Sequence, residues 1–456
     1  MPEATKFPPN DLARSFARLR WLPTALGLVA LAAAGLLYRY QPAAYVAILK
    51  ILFIIPKPTP FIDAQQFPAL VACWRHGVDV YTDPSCDPLG RAMDYSPLWL
   101  RADFLPAWSN WMGFALDGAF FLSLALLPPV RRRADGLLLL LAVFSSMTVF
   151  ALERANMDVV MFLLAAVAGW CWARELWVRL AGYGVMMFAG LLKFYPLVLM
   201  LLFLRERLRY FIGLCGIAVL LLAGFIWHFH GELREMAQNF PSVPSLTNGF
   251  GARELPGGFE LAFRSVFHLS AVPIYYPTAS GPLVVAAPPH PMFAIEMFFL
   301  LILISFAAAF KIAGVPGIKS SVAALTPLEQ GFLIIGAALI CGCFLAGQNI
   351  SYRGIHFIFV LPGIFALSAA AGEAWVRRLF RLTGYAIIFV MWGLALQQIV
   401  AEISGGTALP ITGSAVLAFW FVRELAWWGI VTLLLAVLFC YVAETPLWRT
   451  LMRPPA

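Results

Sequence analysis

Apolar residues run along this chain in long unbroken blocks, and short clusters of arginine separate the blocks. Full-length runs lie near residues 22–38, 111–128, 136–152, 157–173, 210–227, 292–310, 328–346, 354–372, 383–400 and 425–442. Crossing a hydrocarbon core of about 30 Å takes roughly 20 helical residues, and these runs approach that length. They do not alternate in polarity as the strands of a membrane barrel do. The pattern predicts an all-α polytopic fold of about ten spans, a single integral membrane domain over residues 1–456.

Charge placement orients it. Arg14, Arg18 and Arg20 precede the first run, so the N-terminus is expected in the cytoplasm. By the same count Arg131 to Arg133, Arg174, Arg179, Arg377, Arg378 and Arg381 all fall inside, and so does the C-terminus. Residues 180–204 break the alternation, because basic residues flank both ends and Lys193 with Pro196 interrupts the middle. That stretch is expected to be a broken re-entrant hairpin, a form tolerated at membrane depth only where protein or a cavity satisfies the freed backbone groups. The first run exceeds a cleaved signal core of about 7 to 15 residues and is read as a span.

Two large extracytoplasmic loops remain, over residues 39–110 and 228–291. The first opens with an apolar piece, Ala43 to Ile55, expected on the membrane surface. In the second, FELAFRSVFHL sets Phe259, Ala262, Phe263, Val266 and Phe267 on one helical face and Glu260, Arg264 and His268 elsewhere, as in an interfacial helix. The preceding PSVPSLTNGFGARELPGG reads as loop.

Composition agrees with lipid as the main solvent: of 456 residues, 61% are hydrophobic and 12% charged, against about 25% charged in soluble domains. The net charge of +8 is spread over the topology clusters, with no long basic patch for nucleic acid. Five of seven cysteines lie in spans. Cys73 and Cys86 share the first outer loop and are expected to form a disulfide there. There is no Walker sequence, no G-x-G-x-x-G, no G-x-S-x-G and no zinc-ligand spacing.

Three polar clusters remain for chemistry. Asp63, Asp79, Asp83, Asp87, Asp94 and Asp103 lie in the first loop, and Asp63 directly follows the surface piece. Glu153, Arg154, Asn156 and Asp158 join the outer ends of the third and fourth runs in a turn of a few residues, and Arg154 and Asp158, four apart, could simply pair. Asn349, Arg353 and His356 open the eighth run at a spacing that predicts one helical face. One interface carboxylate beside cations suits a reaction that deprotonates a hydroxyl and releases a phosphate.

The motifs DAQQF (Asp63 to Phe67), GVDVY (Gly77 to Tyr81), Tyr95-Ser96-Pro97-Leu98, ERANMD, LLKFYPL and SYRGIHFIFVLP follow one another in this order. As a set they resemble the polyprenyl-phosphate-sugar-dependent glycosyltransferases of the GT-C superfamily, nearest to the bacterial polyprenyl-phosphate-mannose-dependent alpha-mannosyltransferase-like family. Ser96 replaces the usual first Pro, and Glu153 stands where Gly is common. The resemblance implies a GT-C-like fold with outer-loop interfacial helices and a site facing the periplasm from the inner membrane. It implies a polyprenyl-phosphate sugar as donor, a lipid- or glycan-linked acceptor and Asp63 as general base. Arg353, Lys193 and Arg154 are expected at the donor phosphate, and Asp79, Tyr81, Asp94, Tyr95, Asn156, Tyr352 and His356 around the substrates. No metal or further cofactor is expected. The competing readings are a polysaccharide polymerase or O-antigen-ligase-like enzyme, a lipid-glycan transporter, and a non-enzymatic assembly subunit.

Overall fold

A computed structural model describes residues 9–57, 59–105, 111–239, 245–247, 249–266, 272–276, 283–287, 292–347, 349–409 and 411–451. Helices dominate. Among the described residues six segments are long and apolar enough to cross a membrane: Trp21–Tyr40, Leu208–His228, Phe293–Ala313, Pro327–Ala346, Ser351–Ala370 and Ser414–Glu444. Two bent pairs, Arg133–Val143 with Ser146–Arg154 and Ala374–Met391 with Gly393–Ser404, raise the number to eight if each pair is one span. By length and composition this is the makeup of a multi-pass membrane protein.

The remaining two expected spans are shorter. Residues 111–128 form the helix Met112–Ser123 with a 3-10 turn over Leu124–Leu126, and residues 157–173 form the 16-residue helix Met157–Trp172. Local stops explain the truncation. Asn156 caps the second helix by accepting from the Asp158 backbone N–H, so it cannot extend backwards.

Burial sorts the helices into two classes. Pro327–Ala346 and Phe357–Ala370 are closely packed inside the bundle, with Phe332, Ile335, Leu339, Phe357, Val360 and Leu361 fully buried. Leu208–His228 and Met292–Ala313 instead expose Ile217, Leu220, Trp227, Leu303 and Phe310. Apolar side chains presented outward over whole helices fit a hydrocarbon surround.

The stretch around Lys193 doubles back. Helix Leu176–Leu192 ends at Lys193, whose backbone turns extended, and a 3-10 helix over Tyr195–Arg205 returns along it. The Arg179 guanidinium pairs with Glu206 across the open end, and the Tyr183 hydroxyl donates to the same carboxylate at 2.8 Å. The two basic ends therefore lie side by side.

Three small antiparallel strand pairs were not expected. Gly249–Phe250 pairs with Asn349–Ile350, Val272–Tyr276 with Leu283–Ala287, and Thr407–Ala408 with Ile411–Thr412. The first pair overturns the helical spacing expected for Asn349, Arg353 and His356: Asn349 is in a strand, and Ser351–His356 is a 3-10 helix. In the second loop a helix begins at Glu254, within the stretch read as loop, and runs to Val266. Phe259 and Phe263 of its expected apolar face are exposed, and Glu260, set on another face, is buried. His268 lies outside the described residues, as do residues 240–244 of the loop.

The first loop folds as a small layer. Helix Ile62–Arg75 packs Phe67, Leu70 and Val71 against Val80, Tyr81, Met93, Trp99 and Leu100. Cys73 and Cys86 are joined by a disulfide.

Candidate functional site

The Asp63 helix is pinned to the bundle at its first residue. Phe61 adopts a left-handed backbone conformation (φ 60°), and its N–H donates to the Glu153 carbonyl at 2.7 Å. The Phe61 ring rests on Gly113, where a Cβ would come within 2.2 Å of it. Ala155, also left-handed (φ 43°), ends helix Ser146–Arg154 and turns the chain so that Asn156 faces the loop. Such a conformation costs a non-glycine residue roughly 1 to 3 kcal/mol and persists where surrounding structure enforces it. Here both strained residues adjoin one carboxylate.

That carboxylate is Asp63, which is buried. Its Oδ2 accepts from Asn156 Nδ2 at 2.8 Å, and its Oδ1 faces Arg91 Nη2 at 3.4 Å and Arg154 Nη1 at 3.9 Å. A carboxylate has about four lone-pair positions, so Oδ2 keeps the capacity to accept from a second donor. Arg91 is held in turn by Asp87, which accepts from Arg91 Nε at 2.7 Å, Gln66 Nε2 at 3.0 Å and the Leu89 N–H at 2.8 Å. Asp87, Arg91 and Gln66 were not predicted as site residues.

A second centre forms around Asp158. Its Oδ1 accepts from the Tyr195 hydroxyl at 2.8 Å, and its Oδ2 faces Lys193 Nζ at 3.0 Å and Arg353 Nε at 3.7 Å. Arg154, four residues earlier, lies instead against Glu153 at 3.3 Å and Asp63, because the turn at Ala155 breaks the helical spacing that would pair it with Asp158. The Tyr195 oxygen is also 2.8 Å from His356 Nε2. Its one hydrogen goes to Asp158, so the His356 Nε2–H donates to it. Lys193 reaches this position because the helix ends there, where Trp99 Nε1 donates to the Leu192 carbonyl at 3.1 Å.

Lys193 and Arg353 also wall a cavity of about 440 Å³, shared with Asp94, Tyr95, Tyr195 and Tyr352. Lys193 Nζ sits 5.2 Å from the Tyr95 ring centroid, and the Arg353 guanidinium 5.0 Å from that of Tyr195, within cation–π range. Burial pushes the Asp94 carboxyl up; Arg91 and Lys193 pull it down less strongly, and Asp63 adds to the rise. Burial likewise raises the Tyr95 phenol, with Asp94, Asp63 and Asp158 contributing. The two carboxylate centres thus share a field across the cavity wall.

Of the expected residues, Asp94, Tyr95, Lys193, Tyr352 and Arg353 meet at the cavity; His356 lies behind Tyr195. Asp63, Arg154 and Asn156 form the adjoining cluster and do not line the cavity. Asp79 and Tyr81 stand apart from both. Asp79 stabilises its own turn through the Tyr81 N–H and the Thr82 hydroxyl, and Tyr81 is buried in the loop core. Asn349 donates to the Cys343 and Gly347 carbonyls and so closes the end of helix Pro327–Ala346. Among the described residues no group of three or more His, Cys, Asp and Glu side chains is arranged to hold a metal ion.

Compared with family models, with curated proteins and with solved structures, the chain matches none.

Proposed function

We propose that the chain is a glycosyltransferase of GT-C type in the bacterial inner membrane, with its site facing the periplasm. It takes a sugar from a polyprenyl-phosphate donor and passes it to an acceptor hydroxyl. The span number would be ten if Met112–Leu126 and Met157–Trp172 also cross, which brings the arginine clusters to the cytoplasmic side.

The observation that carries the reading is the pair Lys193 and Arg353, both turned on the single carboxylate of Asp158 and both at the wall of the 440 Å³ cavity. Two cations thus face one carboxylate there, with Asp94 on the same wall and a further carboxylate, Asp63, in the adjoining cluster. In the proposed step the acceptor oxygen attacks the anomeric carbon and the bond from that carbon to the phosphate oxygen breaks. The electron pair leaves with the phosphate, where Arg353 and Lys193 stabilise it, and the hydroxyl proton passes to Asp63. The organisation of the loop supports this role for Asp63, since Asp87, Gln66 and Arg91 hold its surroundings in place.

A second reading has one observation in its favour: His356 and Arg353 both border Tyr195, the cation and histidine pairing suited to a ligase that joins two carrier-linked glycans. Incubation of the purified protein with a panel of polyprenyl-phosphate sugars and a lipid extract separates the two. Consumption of a monosaccharide donor supports the transferase. Consumption only of an oligosaccharide-diphosphate lipid selects the ligase.

A further inference from the structure

A second cavity, of about 390 Å³, lies under the first helix. Its walls are apolar: Leu31 and Ala34 of helix Pro9–Tyr40, Tyr45 and Leu49 of helix Pro42–Ile51, and Phe114 and Phe121 of helix Met112–Ser123. Around it Val29, Leu36, Ile48 and Ile51 are exposed, so the groove is continuous with the apolar outer surface of the bundle. One end reaches Pro60, Phe61 and Glu153, next to Asp63 and to the Arg154 that faces it. Asp117 also lines the groove, 2% exposed, and its Oδ1 has no hydrogen-bond partner among the described residues.

We propose that this groove seats the hydrocarbon chain of a lipid-anchored acceptor, with its hydroxylated head at Asp117, Glu153 and the Asp63 end. The word acceptor rests on the glycosyltransferase reading; the seating of a hydroxyl-headed lipid does not. Three points fix the occupant. A groove open to the hydrocarbon admits a chain sideways, at no cost in exposing it to water. A buried carboxylate oxygen without a partner calls for a hydrogen-bond donor, which a hydroxyl supplies. Among the described residues no lysine or arginine lines this groove to offset the cost of burying a phosphate, so the phosphate-bearing donor belongs to the cavity of Lys193 and Arg353 and the hydroxylated lipid to this one.

The test uses the full chain in dioleoylphosphatidylcholine nanodiscs and a photoreactive octadecyl glucoside carrying a diazirine midway along its chain. Labelling is expected on peptides from Trp21–Tyr40 and Met112–Ser123. Unlabelled octadecyl glucoside should compete about ten-fold better than octadecyl phosphate. Ala34→Phe, which fills the groove, should lower labelling about ten-fold, whereas Ala32→Phe, on an exposed position of the same helix, should not. Asp117→Leu, a change an apolar wall accepts, should leave labelling but erase most of the preference for the hydroxyl head. Labelling spread over all outward helices and unaffected by Ala34→Phe overturns the proposal, as does preference for the phosphate. Sugar transfer is not the readout: if competition holds while no sugar is ever transferred, the groove stands and the transferase reading falls.

Discussion

Replacing Asp158 with asparagine should reveal how strongly the bundle depends on one carboxylate. Asp158 is fully buried, and Lys193 at 3.0 Å and Arg353 at 3.7 Å face it from segments far apart in the chain. The side chains of both cations are also largely buried, 11% and 19% exposed, so solvent does little to screen them. Removing one partner of such a group strands buried charge, at a cost of about 3 to 5 kcal/mol. Asparagine still accepts from the Tyr195 hydroxyl but without charge assistance, which lowers that bond by about 1 kcal/mol. The single variant should therefore lose about 5 kcal/mol, the middle of that range plus the weakened bond. Adding Lys193→Met removes the closer stranded cation and should return about half of the loss. Reversible unfolding in mixed micelles, followed by tryptophan fluorescence, measures both. A loss below about 1 kcal/mol, or a double variant weaker than the single one, would refute the claim that Asp158 holds two buried cations.

Further outcomes follow from the same geometry. Replacing Cys73 and Cys86 together with alanine should cost about 3 kcal/mol in the same unfolding assay, the expected effect of opening a loop with a separation of 13 residues. Arg353→Lys keeps charge but loses the planar fork, and should weaken donor use at limiting donor while expression and folding remain normal. The Asp94 carboxyl is pushed up by burial, so it is neutral below its raised value and negative above it. Lowering the pH through that value should tighten binding of a phosphodiester lipid, whose own charge does not change there, and Asp94→Asn should flatten the profile.

The broad plan of the molecule was legible because lipid imposes a simple rule, long apolar helices with charged ends, and six of the expected runs appear as helical segments of spanning length. The doubling back at Lys193 was legible as well, since basic residues on both flanks forbade a crossing. Helix breaks set the limit. The strand at Asn349 destroyed a spacing argument that assumed continuous helix, and Ala155 in a left-handed conformation turned Arg154 away from the Asp158 four residues on. Neither break carries a glycine or proline at that residue to announce it. Asp158 was visible in its cluster, but its partners come from Lys193, Tyr195 and Arg353, distances in sequence that no local pattern encodes. Asp87 looked like any acid of a wet loop until Arg91 and Gln66 closed on it. Asp117, one acid within the run MGFALDGAFF, left a signal that could have been used: an ionisable residue inside an apolar helix is itself a candidate for function.

The most direct measurement of the central claim is single-turnover sugar transfer from the donor that the wild-type protein consumes, by wild type and by Asp63→Asn. Asparagine keeps the size of the side chain and one acceptor oxygen for Asn156, while the half-exposed Arg91 keeps Asp87 as its partner, so folding and donor binding should persist. Loss of the base should slow transfer by about 10² to 10⁴. Near-normal transfer by folded Asp63→Asn protein would contradict the account.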